Sequence, residues 1–301
     1  MSNNSSKDSS EINKIWYYFR RKKLAMAGLV IVAMIFIMAV FAPLLAPHDP
    51  HSITRHRFEA PGTADHVLGT DNMGRDILSR VIWGARVSLL VGILASVTGT
   101  IIGITLGAVS GYFGGWVDNL LMRITELFMT IPRFVLALVV ISFFGTGINR
   151  LILVIGFLSW PGMARIVRSE YLTHKSHPYV ESGRVIGMSD WRLIFIEILP
   201  NVMPQVVVVA TLDIATAILL EAGLGFFGLG DPNLVSWGGM LSLAQGYLRR
   251  AWWMSVFPGL AISLAVLSFN LVGDGLNEAT NPRLQSEGFN TAESKLSGGK
   301  T

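Results

Sequence analysis

The sequence predicts an all-α integral membrane protein with six transmembrane helices, and three observations carry that expectation. Hydrophobic residues make up 51% of the 301-residue chain and charged residues only 15%, more apolar surface than a water-soluble domain of this length can hide. Long uncharged runs recur, most of them close to the roughly 20 residues that a bilayer core requires of a helix. Basic residues stand beside these runs, as they do at membrane flanks. With a net charge of only +4, that distribution argues against a nucleic-acid partner and for membrane lipid as the surrounding medium. The chain has no cysteine, which removes disulfides, thiolate metal sites and cysteine nucleophiles together.

In chain order, residues 1–13 are Ser/Asn-rich and read as a disordered stretch within an N-terminal tail of residues 1–23. Lys14, Arg20, Arg21, Lys22 and Lys23 then precede an uncharged run over 24–46. The basic cluster puts the N-terminus of this first span inside. The run is longer than the ~7–15 apolar residues of a cleaved signal peptide, so an uncleaved anchor is expected. Pro43, Pro47 and Pro50 end it and open an outer segment over 47–84. Asp76 is placed to cap a short helix whose Ile77, Leu78, Val81 and Ile82 would lie on the membrane surface. His48, His51 and His56 cluster in the same segment, but Asp49 is the only further ligand type at useful spacing, so they read as solvated loop histidines and no metal is expected.

A five-span core is expected over 85–278. Arg86 opens the second span, uncharged from Val87 to Val109, in which Ala95, Gly99, Gly103, Gly107 and Gly111 recur every four residues. Such a small-residue row lets another helix approach backbone to backbone, in this chain or in a partner. Leu127–Phe144, broken at Pro132 and Arg133, and Ile148–Ala164, broken at Pro161, are expected to cross as a pair. That parity returns the basic interval 166–199 to the inside. Val202–Leu224 crosses again with Asp213 and Glu221, acids that cost roughly 2.5–3.5 kcal/mol each at mid-membrane and should face protein or water. Arg86 and Glu221 both fall toward the outer leaflet, where they could pair. Gly223–Leu241 reads as an outer loop or re-entrant region, Met254–Val272 as the sixth span, and 279–301 as a polar inner tail. The terminal Gly299-Lys300-Thr301 mimics the end of a phosphate-binding loop, but its first glycine would fall at Ser294 and no helix follows.

Tyr179–Pro200 is the polar interval around which these spans are arranged. Pro178 suits a first helical turn; Tyr179, Gly183 and Ile186 then share a face and Gly187 ends the helix. Ser189 or Asp190 can cap a second helix with Trp191, Ile194, Phe195 and Ile198 at stripe spacing, and Pro200 marks the turn into the next span.

Glu181, Gly187 six positions later, and Leu199-Pro200 resemble the cytoplasmic "EAA" loop of inner-membrane permease subunits of binding-protein-dependent ABC importers. LGTDNMGRD, residues 68–76, is similar to the signature ahead of the core domain in C-type dipeptide and oligopeptide permeases, as are Trp237-Gly238 and the GDGL of 273–276. Ser182 and Gly183 replace the family's paired alanines, and Glu197 stands where many members carry an apolar residue or histidine. The resemblance covers roughly residues 16–285. It implies a type I ABC importer permease fold in a prokaryotic inner membrane with both termini cytoplasmic. It also implies a second homologous permease, two ATP-binding subunits that hold ATP and Mg, and an extracytoplasmic substrate-binding protein, with no cofactor or catalysis in this chain. Glu181, Gly183, Gly187, Trp191, Leu199 and Pro200 would dock on an ATPase, and the cargo would be di- or oligopeptides, with nickel, oligosaccharide or glutathione as alternatives.

Two other classes fare worse on the residues. An intramembrane enzyme would need converging groups, yet Asp213 and Glu221 lie eight apart on one helix and no H-E-x-x-H or serine–lysine arrangement appears. An ion-coupled transporter commonly carries internal repeats, and none is found.

Overall fold

Helices account for all the regular structure in residues 4–63 and 65–280, which the computed structural model describes. The chain enters through α1 (Asn4–Arg21) and α2 (Lys23–Val40). The disordered reading of residues 1–13 is thus corrected from Asn4 onward. Phe19 anchors α1, buried in a cluster with Ala25 and Ala279. The first span is also shorter than the apolar run. It stops at Val40, and Pro43, which has no N–H for a continuing helix, sits in the first turn of a separate short α3 (Ala42–Leu45).

α4 (Ile77–Phe113) is one helix of 37 residues, about 55 Å long at 1.5 Å per residue. Asp76 caps it, accepting from the Ser79 N–H at 2.7 Å. The separate surface helix expected after Asp76 does not exist, because the second span starts there. Arg80, within the first turns of α4, is buried and donates through Nη1 to the Pro50 carbonyl at 2.9 Å.

α5 (Gly115–Thr130) and α6 (Arg133–Phe144) meet at Ile131-Pro132 with a bend of 85°. α7 (Ile148–Phe157) and α8 (Trp160–His174) instead run on as a 27-residue apolar stretch. Pro161 does not break that span, since it sits in the first turn of α8, where its missing N–H costs nothing. Gly103, Gly107 and Gly111 face α8 and Gly99 faces the junction of α7 and α8, so the neighbour of the small-residue row lies in this chain. A Cβ on Gly103 would stand 2.6 Å from Met163 Cβ, and one on Gly107 2.5 Å from the Ala164 carbonyl oxygen.

α9 (Pro178–Val185) and α10 (Asp190–Arg192) lead through a π-helical segment, Leu193–Ile198, into α11 (Leu199–Phe226). The loop after α11 contains α12 (Trp237–Ala244), and α13 (Trp253–Thr280) closes the described chain. Trp237 is fully buried against Gly84, its indole N–H donating to the Val81 carbonyl at 2.9 Å. Five helices are long and apolar enough to cross a membrane, and the bent α5–α6 pair makes six if it is one span. The phosphate-loop mimic at 299–301 lies outside the described residues.

Candidate coupling site

Pro178 starts α9 as its first-turn residue, and the helix ends in a Schellman motif around Gly187. Gly187 adopts φ +77° and donates to the Arg184 carbonyl at 3.0 Å, while Met188 donates to the Gly183 carbonyl at 3.0 Å. Only glycine takes that backbone conformation without steric cost. Gly183 is needed for a different reason, because a Cβ there would lie 2.7 Å from Cδ2 of Leu193, itself fully buried. The two glycines therefore do separate tasks, one turning the chain and one letting α9 lie on the π segment.

The second helix of the interval is not a separate piece. From Asp190 the chain is continuous through the π segment into α11, so Pro200 bends no turn into the span. Pro200 lacks an N–H to give to Ile196 and its ring crowds that carbonyl. The widened turn precedes it directly, with the Leu199 N–H reaching back five residues to the Ile194 carbonyl. Ser189 occupies the capping position of α10 without a side-chain cap bond.

The burial pattern also departs from the expected faces. Val180 and Gly183 form the inward face of α9, whereas Tyr179 and Ile186 are exposed. Leu193, Ile194 and Ile198 turn inward from the second half and Trp191 turns outward, stacked beside Phe195 at 4.1 Å between ring centroids. Val185, Ile186 and Trp191 are 87%, 71% and 69% exposed, a run of apolar side chains at the tip of a polar loop that invites a partner. Glu181, Gly187 and Pro200 are exposed beside them, Leu199 is half-buried, and Gly183 is buried beneath. Val185 and Ile186 escaped the sequence reading because helical spacing set Ile186 on one face with Tyr179 and Gly183. It is the C-cap, beyond the regular turn.

Three contacts fix this tip to the spans. The Tyr112 hydroxyl, at the end of α4, donates to Asp190 Oδ1 at 2.6 Å, and Arg184 stacks over the Tyr112 ring at 5.2 Å. The Tyr171 hydroxyl, buried in α8, donates to the Ile194 carbonyl at 2.9 Å. Beneath them Ala108, Tyr112, Met163, Val167, Val180, Leu193, Ile198 and Val202 share one apolar cluster, so displacement of the tip must displace α4, α8 and α11.

The intramembrane acids face protein or a cavity, as a charge in a span must. Arg86 is exposed and stacks over the Trp83 ring at 5.0 Å. Glu221 is buried and accepts from the Ser88 hydroxyl at 2.9 Å. The two do not pair, for a geometric reason: residues 86 and 88 point about 200° apart around α4, and 88 is the one that faces α11. Asp213 does face a cavity of about 310 Å³, and Arg133 lines the same cavity. Arg133 also donates to the Ser159 hydroxyl. The three histidines clustered in sequence separate: His51 is exposed, His56 contacts Glu59, and His48 moves toward His66.

Comparison with known proteins bears directly on this arrangement. Residues 103–286 match the family described as the binding-protein-dependent transport system inner membrane component, and residues 10–61 match the N-terminal TM domain of oligopeptide transport permease C. The dipeptide transport system permease protein DppC of Escherichia coli (strain K12) is 43% identical over 281 residues, 91% of this chain and 94% of that one. The di/tripeptide transport system permease protein DppC of Pseudomonas aeruginosa (strain UCBPP-PA14) is 39% identical over 284 residues, 92% and 94% of the two chains. The glutathione transport system permease protein GsiD of Pectobacterium atrosepticum is 38% identical over 275 residues, 91% of each. Among solved structures, inward-facing MetNI methionine ABC transporter is similar with a TM-score of 0.55 at 19% identity, covering 67% of this chain and 97% of that one, a likeness of fold. With 184 residues inside the family match and full-length relatives near 40% identity, the chain belongs to the binding-protein-dependent transport system inner membrane components, as a transport permease subunit of the membrane.

Proposed function

We propose that the chain forms half of the translocation pathway of an ATP-driven importer for di- or oligopeptides, and that the tip at 179–200 couples it to an ATP-binding subunit. The observation that carries the coupling is the exposed Val185–Ile186–Trp191 surface, held to α4 by Tyr112–Asp190 and to α8 by Tyr171–Ile194. Glu181, Gly183, Gly187, Leu199 and Pro200 shape or flank that surface. ATP and Mg²⁺ are held by two partner subunits, a second homologous permease completes the pathway, and an extracytoplasmic binding protein delivers the substrate. ATP-driven movement of the partners shifts the tip, and the attached helices rock to open the path on the other face.

The cytoplasmic assignment of the tip and of the chain's two ends rests on Lys14–Lys23 and on Arg165, Arg168, Lys175, Arg184 and Arg192. The Lys22–Glu278 ion pair agrees with it, since it joins the start of α2 to the end of α13 on one side of the membrane. For the cargo, the peptide relatives are the guide. Arg133 and Asp213 beside one cavity also offer one charge of each sign, as a free peptide does at its ends.

The test is genetic and transport-based. A strain lacking this subunit loses growth on di- or oligopeptides as sole amino-acid source and keeps growth on free amino acids. A deletion strain that takes up peptides normally and loses glutathione uptake instead would move the cargo to the second reading, which the 38% identical glutathione permease favours.

A further inference from the structure

We propose that His48, His66 and Asp76 form a binding site for a zinc-class divalent cation at the head of α4, the end of that helix remote from the coupling tip. One ligand atom from each residue lies within 4.8 Å of the others. Asp76 Oδ1 is 2.9 Å from His66 Nδ1, and Asp76 Oδ2 is 3.8 Å from His48 Nδ1. Two ligands at ~2.0–2.1 Å from a tetrahedral ion stand roughly 3.3–3.4 Å apart, and the two separations, each to a different oxygen of Asp76, lie within about 0.5 Å of that. Two imidazoles and one carboxylate are also the ligand types that a zinc-class ion takes in preference to calcium or magnesium, which prefer all-oxygen shells.

The site is built rather than incidental. His66 and Asp76 are 6% and 2% exposed. His48 Nδ1 is shielded from solvent and has no hydrogen-bond partner among the described residues, a buried nitrogen left with a lone pair or proton to satisfy. At 3.8 Å it is too far from the carboxylate for a direct hydrogen bond, a gap that a shared cation closes. The carboxylate is oriented from behind by Ser79, whose N–H and hydroxyl each donate to Asp76 Oδ2 at 2.7 Å. The Ser79 hydroxyl oxygen in turn accepts from the His48 N–H at 3.0 Å. Such outer contacts are what hold metal ligands in position. The nearby guanidiniums are turned elsewhere, Arg80 to the Pro50 carbonyl and Arg75 to Asp71, so no fixed cation occupies the place of the ion. The side chain of His48 is 36% exposed, which leaves an approach from solvent and a fourth position for water.

A metal ligand at His66 is the neutral imidazole binding through Nδ1, with the ring proton on Nε2. The ion would tie residue 48, just past α3, and residue 66, in the middle of the outer segment, to the capping residue of the longest span.

The full cysteine-free chain, purified with a tag that contains no histidine and stripped with chelator, is titrated with Co²⁺ and then with Zn²⁺. One equivalent binds with the visible absorption of a tetrahedral cobalt site, Zn²⁺ displaces it, and Zn²⁺ raises the thermal unfolding temperature. His48→Ala and Asp76→Asn each weaken binding at least about tenfold, as loss of a direct ligand must if outer contacts alone are worth 10- to 100-fold. The asparagine keeps an N-cap acceptor, so that variant separates metal binding from capping. His51→Ala and the pair His174→Ala with His177→Ala leave affinity unchanged. Absence of stoichiometric binding, or binding that survives both His48→Ala and Asp76→Asn, overturns the site.

Discussion

The hydroxyl of Tyr112, at the last turn of the 37-residue α4, donates to the carboxylate of Asp190 at 2.6 Å, and so ties the end of a membrane span to the first residue of the helix that leaves the coupling tip. Asp190 is exposed and Tyr112 is buried. Water can therefore replace the phenol at the carboxylate, and the bond matters more for transmitting displacement than for stability.

Tyr112→Phe accordingly costs about 1 kcal/mol of stability while lowering the number of substrate molecules moved per ATP several-fold. Paired measurements of ATP hydrolysis and labelled dipeptide uptake in proteoliposomes check this. Equal falls in both rates would mean that the bond serves assembly instead.

Gly187 has open space around the position of a Cβ but a φ of +77°, so substitutions there are limited by backbone strain and not by crowding. Gly187→Asn, which tolerates the left-handed region, retains more transport than Gly187→Val, and the valine variant loses about 1–2 kcal/mol or more. Uptake assays on the two, with expression matched by immunoblot, read the order.

Two glycines, one on the packed face of α4 and one on the exposed face of α8, give opposite results on the same change. Gly107→Ala drives a methyl to 2.5 Å from the Ala164 carbonyl and destabilises by about 1–3 kcal/mol. Gly162→Ala meets nothing within 4 Å and is neutral or stabilising by up to about 1 kcal/mol. Thermal unfolding in detergent distinguishes them.

Arg86 and Glu221, which looked like a membrane ion pair, behave independently. In a cycle of Arg86→Ala and Glu221→Gln on assembled complex, the losses add to within about 0.5 kcal/mol, whereas Ser88→Ala with Glu221→Gln shows coupling through the 2.9 Å bond.

Features set by neighbours in sequence were legible: the Asp76 cap, the glycine turn at 187, the proline start of α9 and the close-packing row in α4. Each depends on one residue's backbone or on one helix period. What escaped depends on tertiary partners. The burial of Arg80 could not be read, because its acceptor, the Pro50 carbonyl, lies thirty residues away in sequence. Spacing groups Ile186 on a face with Gly183 because periodicity does not say where the last turn ends. The π segment was invisible, since Pro200 announces disruption without saying whether the helix will break or widen. His66 and Arg133 became notable only once folding brought His48 and Asp213 to them.

The glycine row has a mechanical consequence. Where α4 meets α8, the glycines from Gly99 to Gly111 lie against the Cβ atoms of Ser159, Met163, Val167 and Tyr171 and against the carbonyls of Gly156, Trp160, Ala164 and Arg168, and with Met163, Val167 and Tyr171 fully buried the seam leaves little room for rotamers to rearrange when it is pushed. The pair must behave as a single stiff lever that tilts as a whole, with its short arm at Tyr112 and Tyr171. Compliance then has to come from elsewhere in the chain, and the 85° elbow between α5 and α6, which borders the cavity of Arg133 and Asp213, is where a tilting lever would first be felt.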